Sequence, residues 1–270
     1  MDKVVSRDGT TIAYEKAGDG PPLVLLNGAF RDHTIFDQIV PQLTPYCTTY
    51  VYDRRGRGES GDAASYAPER EIEDLEAVME AAGGEVAVFA GSSGANLALR
   101  AAIHGTPMTR LALHEPYFRV PGFPRPPEDL IERMQAMLAE GRNAEVIEYW
   151  SHEFMDLSPE QYAIWRRNPT MWAENLTRTH TLIYDTTICA IRSDYDVPAE
   201  ELAAFTTPTL LVNSDGTSDW LRAAAQATAA ALPNCTPRTL PGGWHWVRPD
   251  ILCPVLAEFT TQSSEVSHAN

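Results

Sequence analysis

The 270-residue chain contains no apolar run long enough to cross a bilayer, and no basic stretch followed by an apolar one opens it. Basic residues are scarce: Lys and Arg number 21 against 37 Asp and Glu, a formal net charge of −16. Such an acidic surface repels phosphate backbones and anionic headgroups, which argues against nucleic-acid and membrane partners. The four cysteines, Cys47, Cys189, Cys235 and Cys253, are too far apart to form a metal-type pair. They are expected to be reduced and mostly buried, so the expected location is cytoplasmic. No internal repeat or low-complexity block is visible, and no glycine-rich loop ends in Gly-Lys-Ser/Thr, so a nucleotide phosphate site is not signalled. Neither a metal nor an organic cofactor is expected. Nothing in the sequence speaks to oligomeric state.

What is present is an alternation. Lys3 to Ser6 and Thr11 to Lys16 flank Arg7-Asp8-Gly9 like a hairpin. Leu23-Val24-Leu25-Leu26 is a continuous apolar run of the kind buried on both faces of a parallel sheet. Ile35, Phe36, Ile39, Val40 and Leu43 fall at helical spacing over Thr34 to Leu43. Thr48 to Tyr52 predicts a strand, Glu69 to Ala82 an amphipathic helix and Arg110 to His114 another strand. Strand character returns at Thr209 to Val212 and Pro237 to Leu240, with helices expected over Trp220 to Leu232 and Asp250 to Thr260. This order predicts a doubly wound, mostly parallel α/β sheet. Between Glu115 and Phe205 no strand is apparent. A proline-rich stretch leads to helical segments near 128–140, 144–155, 159–167 and 171–191. The simplest division is a core of residues 1–115 and 206–262, an inserted helical cap of 116–205 and a polar tail of 263–270.

One stretch carries chemistry. Val86 to Phe89 runs into Ala90-Gly91-Ser92-Ser93-Gly94, followed by the helix-forming Ala95 to Arg100. Strand, sharp turn and helix with a serine at the apex form a nucleophile elbow. The bland alternative is an ordinary Gly/Ser turn. Ser92 or Ser93 can occupy the apex. The flanks favour Ser92, because the strand then feeds directly into the turn and Gly94, Ala95, Leu97, Ala98 and Leu99 make one packing face. Ser93 would then offer its backbone N–H to an oxyanion. Among seven histidines, His245 stands out by its place between the last strand and the last helix, where a base for that serine belongs. His114 is expected to pack near a strand end. Asp53 and its arginines are expected to pin a turn, and His180 to be either a satisfied helix residue or a pocket residue.

In order and spacing, the Asn27-Gly28 turn, the Asp53-Arg54-Arg55-Gly56-Arg57-Gly58-Glu59-Ser60 segment, the elbow, the helical cap and His245 resemble the α/β-hydrolase superfamily over nearly the whole chain. More narrowly, the Tyr-Asp-Arg-Arg-Gly-Arg-Gly turn and the His180 to Asp185 segment resemble a group of small bacterial hydrolases. The resemblance implies a triad of nucleophile, acid and histidine, with an oxyanion hole formed by the N–H groups of Ala29, or Phe30, and Ser93. Asn27 stands where the superfamily often has histidine, Ala90 where the elbow often has glycine, and Trp244 where glycine often precedes the histidine. The acid is usually in the loop after Thr209 to Val212, but spacing back from His245 places Thr217 there, flanked by Asp215 and Asp219. Some superfamily members instead carry the acid just after the strand that follows the elbow, here Glu115. Glu115 ranks first, then Asp215, then Asp219, which also suits the start of a helix.

Ser92, His245 and Glu115 would then hydrolyse a small to medium apolar ester, lactone or thioester. A serine nucleophile argues against dehalogenase or epoxide-hydrolase chemistry. Cap aromatics such as Phe118, Trp150, Trp165 and Trp172 either pack the cap or line the pocket. Two alternatives keep the pocket: cofactor-free non-hydrolytic chemistry (cyclisation, isomerisation or C–C cleavage), and a ligand-binding protein with a vestigial triad.

Overall fold

The computed structural model describes residues 1–261. The expected tail (263–270, with His268) and residue 262 of the second core segment lie outside the described residues.

The strands are β1 (Asp2–Val5), β2 (Thr11–Ala17), β3 (Pro22–Leu26), β4 (Thr48–Tyr52), β5 (Ala87–Gly91), β6 (Arg110–His114), β7 (Thr209–Ser214) and β8 (Cys235–Leu240). They form one sheet in the order β1-β2-β4-β3-β5-β6-β7-β8. β1 and β2 form the expected hairpin, β2 runs antiparallel to β4, and every later pairing is parallel. The strand periodicity of two explains why β3 is apolar throughout. Val24 and Leu26 face a core with α2 (Pro68–Ala81) and α3 (Ser93–His104), reached in the chain after α1 (Val40–Leu43). Leu23 and Leu25 face the opposite core, where Leu43 of α1 meets the C-terminal helix.

Six helices separate β6 from β7: α4 (Leu130–Ala139), α5 (Asn143–Glu153), α6 (Pro159–Arg166), α7 (Pro169–Thr177), α8 (Thr181–Cys189) and α9 (Ala199–Leu202). Most of their apolar residues form a third cluster that includes Phe30, Tyr117, Trp150 and Trp220. After β7 come α10 (Asp219–Ala231), β8, a small hairpin of β9 (Gly242–Gly243) and β10 (Trp246–Val247), and α11 (Pro249–Thr261). Among the described residues, no helix is long and apolar enough to cross a membrane. The four cysteines are free, and three of them are buried.

The sequence expectation fails in three places. Thr34 to Leu43 is not one helix but a 3-10 turn (His33–Phe36) and then α1. Asp32 caps the first piece through the Thr34 N–H, and Pro41 sits in the first turn of the second, where its missing donor costs nothing. The expected helix over 171–191 is divided into α7 and α8. Arg178 leaves the helical region, and the Thr179 hydroxyl bonds the Asn175 and Leu176 carbonyls, so a side chain takes the place of helical N–H donors. The stretch around His245, where no strand is expected between Leu240 and Asp250, forms the β9–β10 hairpin.

Candidate active site

Ser92 occupies the turn between β5 and α3 at φ 56°, ψ −131°, and its N–H donates to the His114 carbonyl at 2.9 Å. A side chain in this region is strained, and such strain concentrates at functional sites. The small neighbours have steric causes. A Cβ on Gly28 would lie 2.8 Å from the Ser92 Cβ, and one on Gly94 would meet the Asn27 carbonyl oxygen. The 27–29 turn and the elbow are therefore in direct contact.

The two serines have different surroundings. Ser92 lines a cavity of about 880 Å³. Ser93 is buried, and its hydroxyl donates to Asp185 at 2.7 Å and accepts from Arg54 at 3.3 Å. The backbone N–H of Ser93 opens α3, where first-turn donors have no intrahelical acceptor. Ala29 lines the same cavity, and its N–H has no hydrogen-bond acceptor among the described residues. Phe30, the other suggested donor, has φ 62° and contributes its ring to the wall.

Glu115 directly follows β6 at φ 48° and is fully buried. One carboxylate oxygen accepts the Ser214 N–H at 2.8 Å, and the other lies 2.5 Å from His245 Nδ1. Burial alone would raise this carboxyl's pKa. The His245 hydrogen bond, the charges of His245 and His114 and the Ser214 N–H outweigh burial and hold it below the usual carboxylate range. His245 itself sits in the two-residue turn of the β9–β10 hairpin, at φ 53°. That hairpin is tied down at both ends. The Ser214 hydroxyl donates to the Gly243 carbonyl, and the Gly242 N–H donates to Asp215 Oδ1 at 2.9 Å. Asp215 is thus bound to the hairpin backbone, and exposed Asp219 lies in the first turn of α10, so neither reaches the His245 ring. The ring lines the cavity with Ser92, whose Oγ makes no hydrogen bond among the described residues. In an empty site this contact is commonly long.

His114 was expected only to pack at a strand end. Its ring stacks on His245 with centroids 5.6 Å apart and 23° between planes, and it also lines the cavity. Burial pushes its pKa down to about 4, the His245 charge adds to this, and Glu115 opposes it. It is therefore a neutral ring beside the 115–245 pair at neutral pH. The only sequence signal for it was its place beside Glu115 at the strand end.

The segment between β6 and β7 supplies Trp150, Met155, Ile164 and Trp165 to the cavity wall, and the hairpin adds Trp244 and Trp246. The wall is chiefly apolar. Phe118 and Trp172, also considered for the pocket, pack elsewhere. His180 is not among the residues that line the cavity and lies 3.2 Å from Asp62. Asp53 pins its turn through the His33 and Glu59 N–H groups. Asp32, His33 and Asp53 come close enough to share a cation. Each is already committed, however: Asp32 to Arg178 and Thr34, and His33 to Asp53.

Behind the elbow, Arg54 binds Glu71 through two hydrogen bonds of 2.6 and 2.8 Å. Asp185 of α8 accepts from Arg54 and Arg57, both at 2.8 Å, and from Ser93. All of these side chains are buried. The Asp53 to Ser60 segment and the His180 to Asp185 segment therefore meet in one ionic cluster directly under the turn.

A sequence model of the alpha/beta hydrolase family matches residues 23–253. An alpha/beta hydrolase from Sphaerobacter thermophilus is 42% identical, covers 96% of this chain and 100% of its own, and superposes with a TM-score of 0.91. A thermophilic esterase from Thermogutta terrifontis is 21% identical over 90% of each chain, with a TM-score of 0.66. An enol-lactonase from Burkholderia xenovorans is 19% identical over 97% of this chain and 100% of its own, with a TM-score of 0.74. At those lower identities the likeness is one of fold. With the matched region spanning most of the sequence and a 42% identical relative along nearly its full length, the chain belongs to the alpha/beta hydrolase family.

Proposed function

We propose that the protein is a serine hydrolase that cleaves a carboxylic ester, lactone or thioester through an acyl-enzyme. The observation that carries this reading is Ser92 on a strained turn at the wall of a cavity also lined by a histidine whose Nδ1 is 2.5 Å from a buried carboxylate. A serine hydroxyl is a weak nucleophile at neutral pH and needs a base. Glu115 fixes the His245 ring and its tautomer and stabilises the imidazolium formed as Nε2 takes the Ser92 proton. Ser92 Oγ bonds to the carbonyl carbon, and the oxyanion is received by the Ala29 and Ser93 N–H groups. Each such donor supplies about 3–4 kcal/mol of transition-state stabilisation. The tetrahedral intermediate collapses and the alcohol or thiol leaves with the proton from His245. Water, activated by the same histidine, then releases the acid. The helices α4 to α9 act in this reading as a cap whose tryptophans hold an apolar substrate. The esterase and enol-lactonase among the structural neighbours carry out chemistry of the same class.

The test is fluorophosphonate labelling with the adduct located by mass spectrometry, on wild type, Ser92→Ala and His245→Ala. One adduct on Ser92, lost in both variants, is expected. An adduct on Ser93, or equal labelling of His245→Ala, would refute the assignment. Labelled Ser92 without turnover of a panel of esters, lactones and thioesters would favour the non-hydrolytic chemistry.

A further inference from the structure

Arg31 follows the Ala29–Phe30 turn and, among the described residues, is the only arginine or lysine lining the cavity. It is half-buried. Its backbone N–H donates to the Gly28 carbonyl at 3.4 Å, but its guanidinium has no hydrogen bond, ion pair or ring contact among the described residues. The fully buried arginines differ in that each holds a partner, Arg57 through a single ion pair with Asp185. Arg54 and Arg55 are saturated by carboxylates, and Arg119 bonds the Phe154 carbonyl and stacks on Trp220.

The neighbouring charges do not satisfy Arg31. Asp32 is held by Arg178, and Arg178 also donates to the Phe30 carbonyl at 3.0 Å. Asp37 lines the cavity but is exposed and forms no ion pair with Arg31, and Glu174 on α7 is also exposed. Burial lowers the Arg31 pKa and the nearby Arg178 charge adds to that, while Asp32 and Glu174 only partly offset it. Arginine stays protonated all the same. A desolvated cation without a partner is unfavourable, and an anion delivered by a ligand relieves the cost.

We propose that Arg31 is the docking point for a substrate carboxylate, so that the preferred substrate is an ester or lactone whose apolar portion ends in one carboxylate. This deepens the serine-hydrolase reading and rests on it. The planar guanidinium fork matches a carboxylate in two-point geometry. One cation balances one negative charge, whereas a dianionic phosphate would leave excess charge against the tryptophans. The location also suits the role. Arg31 lines the same cavity as Ala29 and Ser92, so an anion held there and the reacting carbonyl would share one pocket.

The probes are mono-p-nitrophenyl adipate and its methyl ester, which differ in one negative charge. Wild type is expected to favour the acid by tenfold or more in kcat/KM. Arg31→Met removes that preference, mainly through KM, and Arg31→Lys keeps part of it. Equal or better turnover of the methyl ester by wild type, or an equal loss for both probes in Arg31→Met, would overturn the proposal. A second measurement needs no turnover: quenching of cavity tryptophan fluorescence by adipate. Saturable quenching by adipate but not by dimethyl adipate, lost in Arg31→Met, supports the site, and equal quenching or none overturns it. Adipate binding through Arg31 without cleavage of either ester would remove the hydrolase reading and leave the anion site. Cleavage of both without preference would do the reverse.

Discussion

Replacing Asp185 by asparagine should destabilise the protein more than any surface substitution of the same kind. Arg54, Arg57, Glu71 and Asp185 are all buried, and their two positive and two negative charges balance. Asparagine keeps the shape but leaves a net buried positive charge. It also turns one acceptor oxygen into a donor facing either Arg57 or the Arg54–Ser93 side. Removing one partner of a buried ion pair costs about 3–5 kcal/mol. At about 2–3 °C per kcal/mol for a chain of this size, the unfolding midpoint should fall by about 6–15 °C. The assay is thermal unfolding by circular dichroism at pH 7, with Asp62→Asn as control. Asp62 is partly exposed beside His180, and its loss should cost about 1 kcal/mol or less. Because Asp185 also anchors the Ser93 hydroxyl, fluorophosphonate labelling of the folded variant should be slower than wild type. A midpoint within 2 °C of wild type would refute the reasoning. It would mean that water or a shifted side chain compensates Arg54 and Arg57, and that the cluster does not join α8 to the elbow energetically.

Three further outcomes follow from the site. Glu115→Gln should lower kcat by about ten-thousand-fold, as expected when a carboxylate no longer fixes the histidine tautomer. Asp215→Asn, which alters a carboxylate that among the described residues bonds only the Gly242 N–H and is exposed to solvent, should change kcat far less. Comparable losses in the two variants would overturn the assignment of the acid. Gly28→Ala places a methyl group 2.8 Å from the Ser92 Cβ and, on the proposed mechanism, should reduce ester turnover by about a hundredfold through displacement of Ser92. Finally, His114 titrates at about 4 in the folded protein against 6.5 unperturbed. Below pH 6.5 the unfolded chain binds a proton there that the folded protein refuses, so this contribution is complete above pH 6.5 and is lost as pH falls towards 4. It amounts to up to about 3 kcal/mol. In urea titrations across that window, His114→Phe should show a flatter stability profile, and an unchanged slope would count against it.

Much of the architecture is written in local patterns. Leu23 to Leu26 is apolar on both faces because two cores meet there, and its neighbours in the sheet carry the same signature. The elbow was legible because strand, small residues and helix formers follow one another directly, although the contacts that demand Gly94 come from the distant Asn27 turn. Thr34 to Leu43 misled for the same kind of local reason. Its apolar residues fit helical spacing, but Asp32 caps one short piece and Pro41 starts another. Periodicity reports which residues face inward, not whether the backbone between them is continuous.

The relation among the site residues is of a different kind. Whether Ser92 or Ser93 faces the cavity depends on Asp185, 92 residues away, taking up the Ser93 hydroxyl. Glu115 and His245 are 130 residues apart and meet because β6 and β7 are paired, so that the end of β7 supplies both the Ser214 N–H to the carboxylate and the Ser214 hydroxyl to the hairpin carrying the histidine. Counting back from His245 pointed to the loop after β7, and that loop does contact the hairpin, through Asp215. It contacts the hairpin's backbone rather than its imidazole. With Asp215 holding the turn and Glu115 holding the ring, the two carboxylates divide between them tasks that spacing alone had made alternatives. Restoring a carboxylate at Thr217 in a Glu115→Gln background is therefore not expected to rescue turnover unless the hairpin also shifts to meet it.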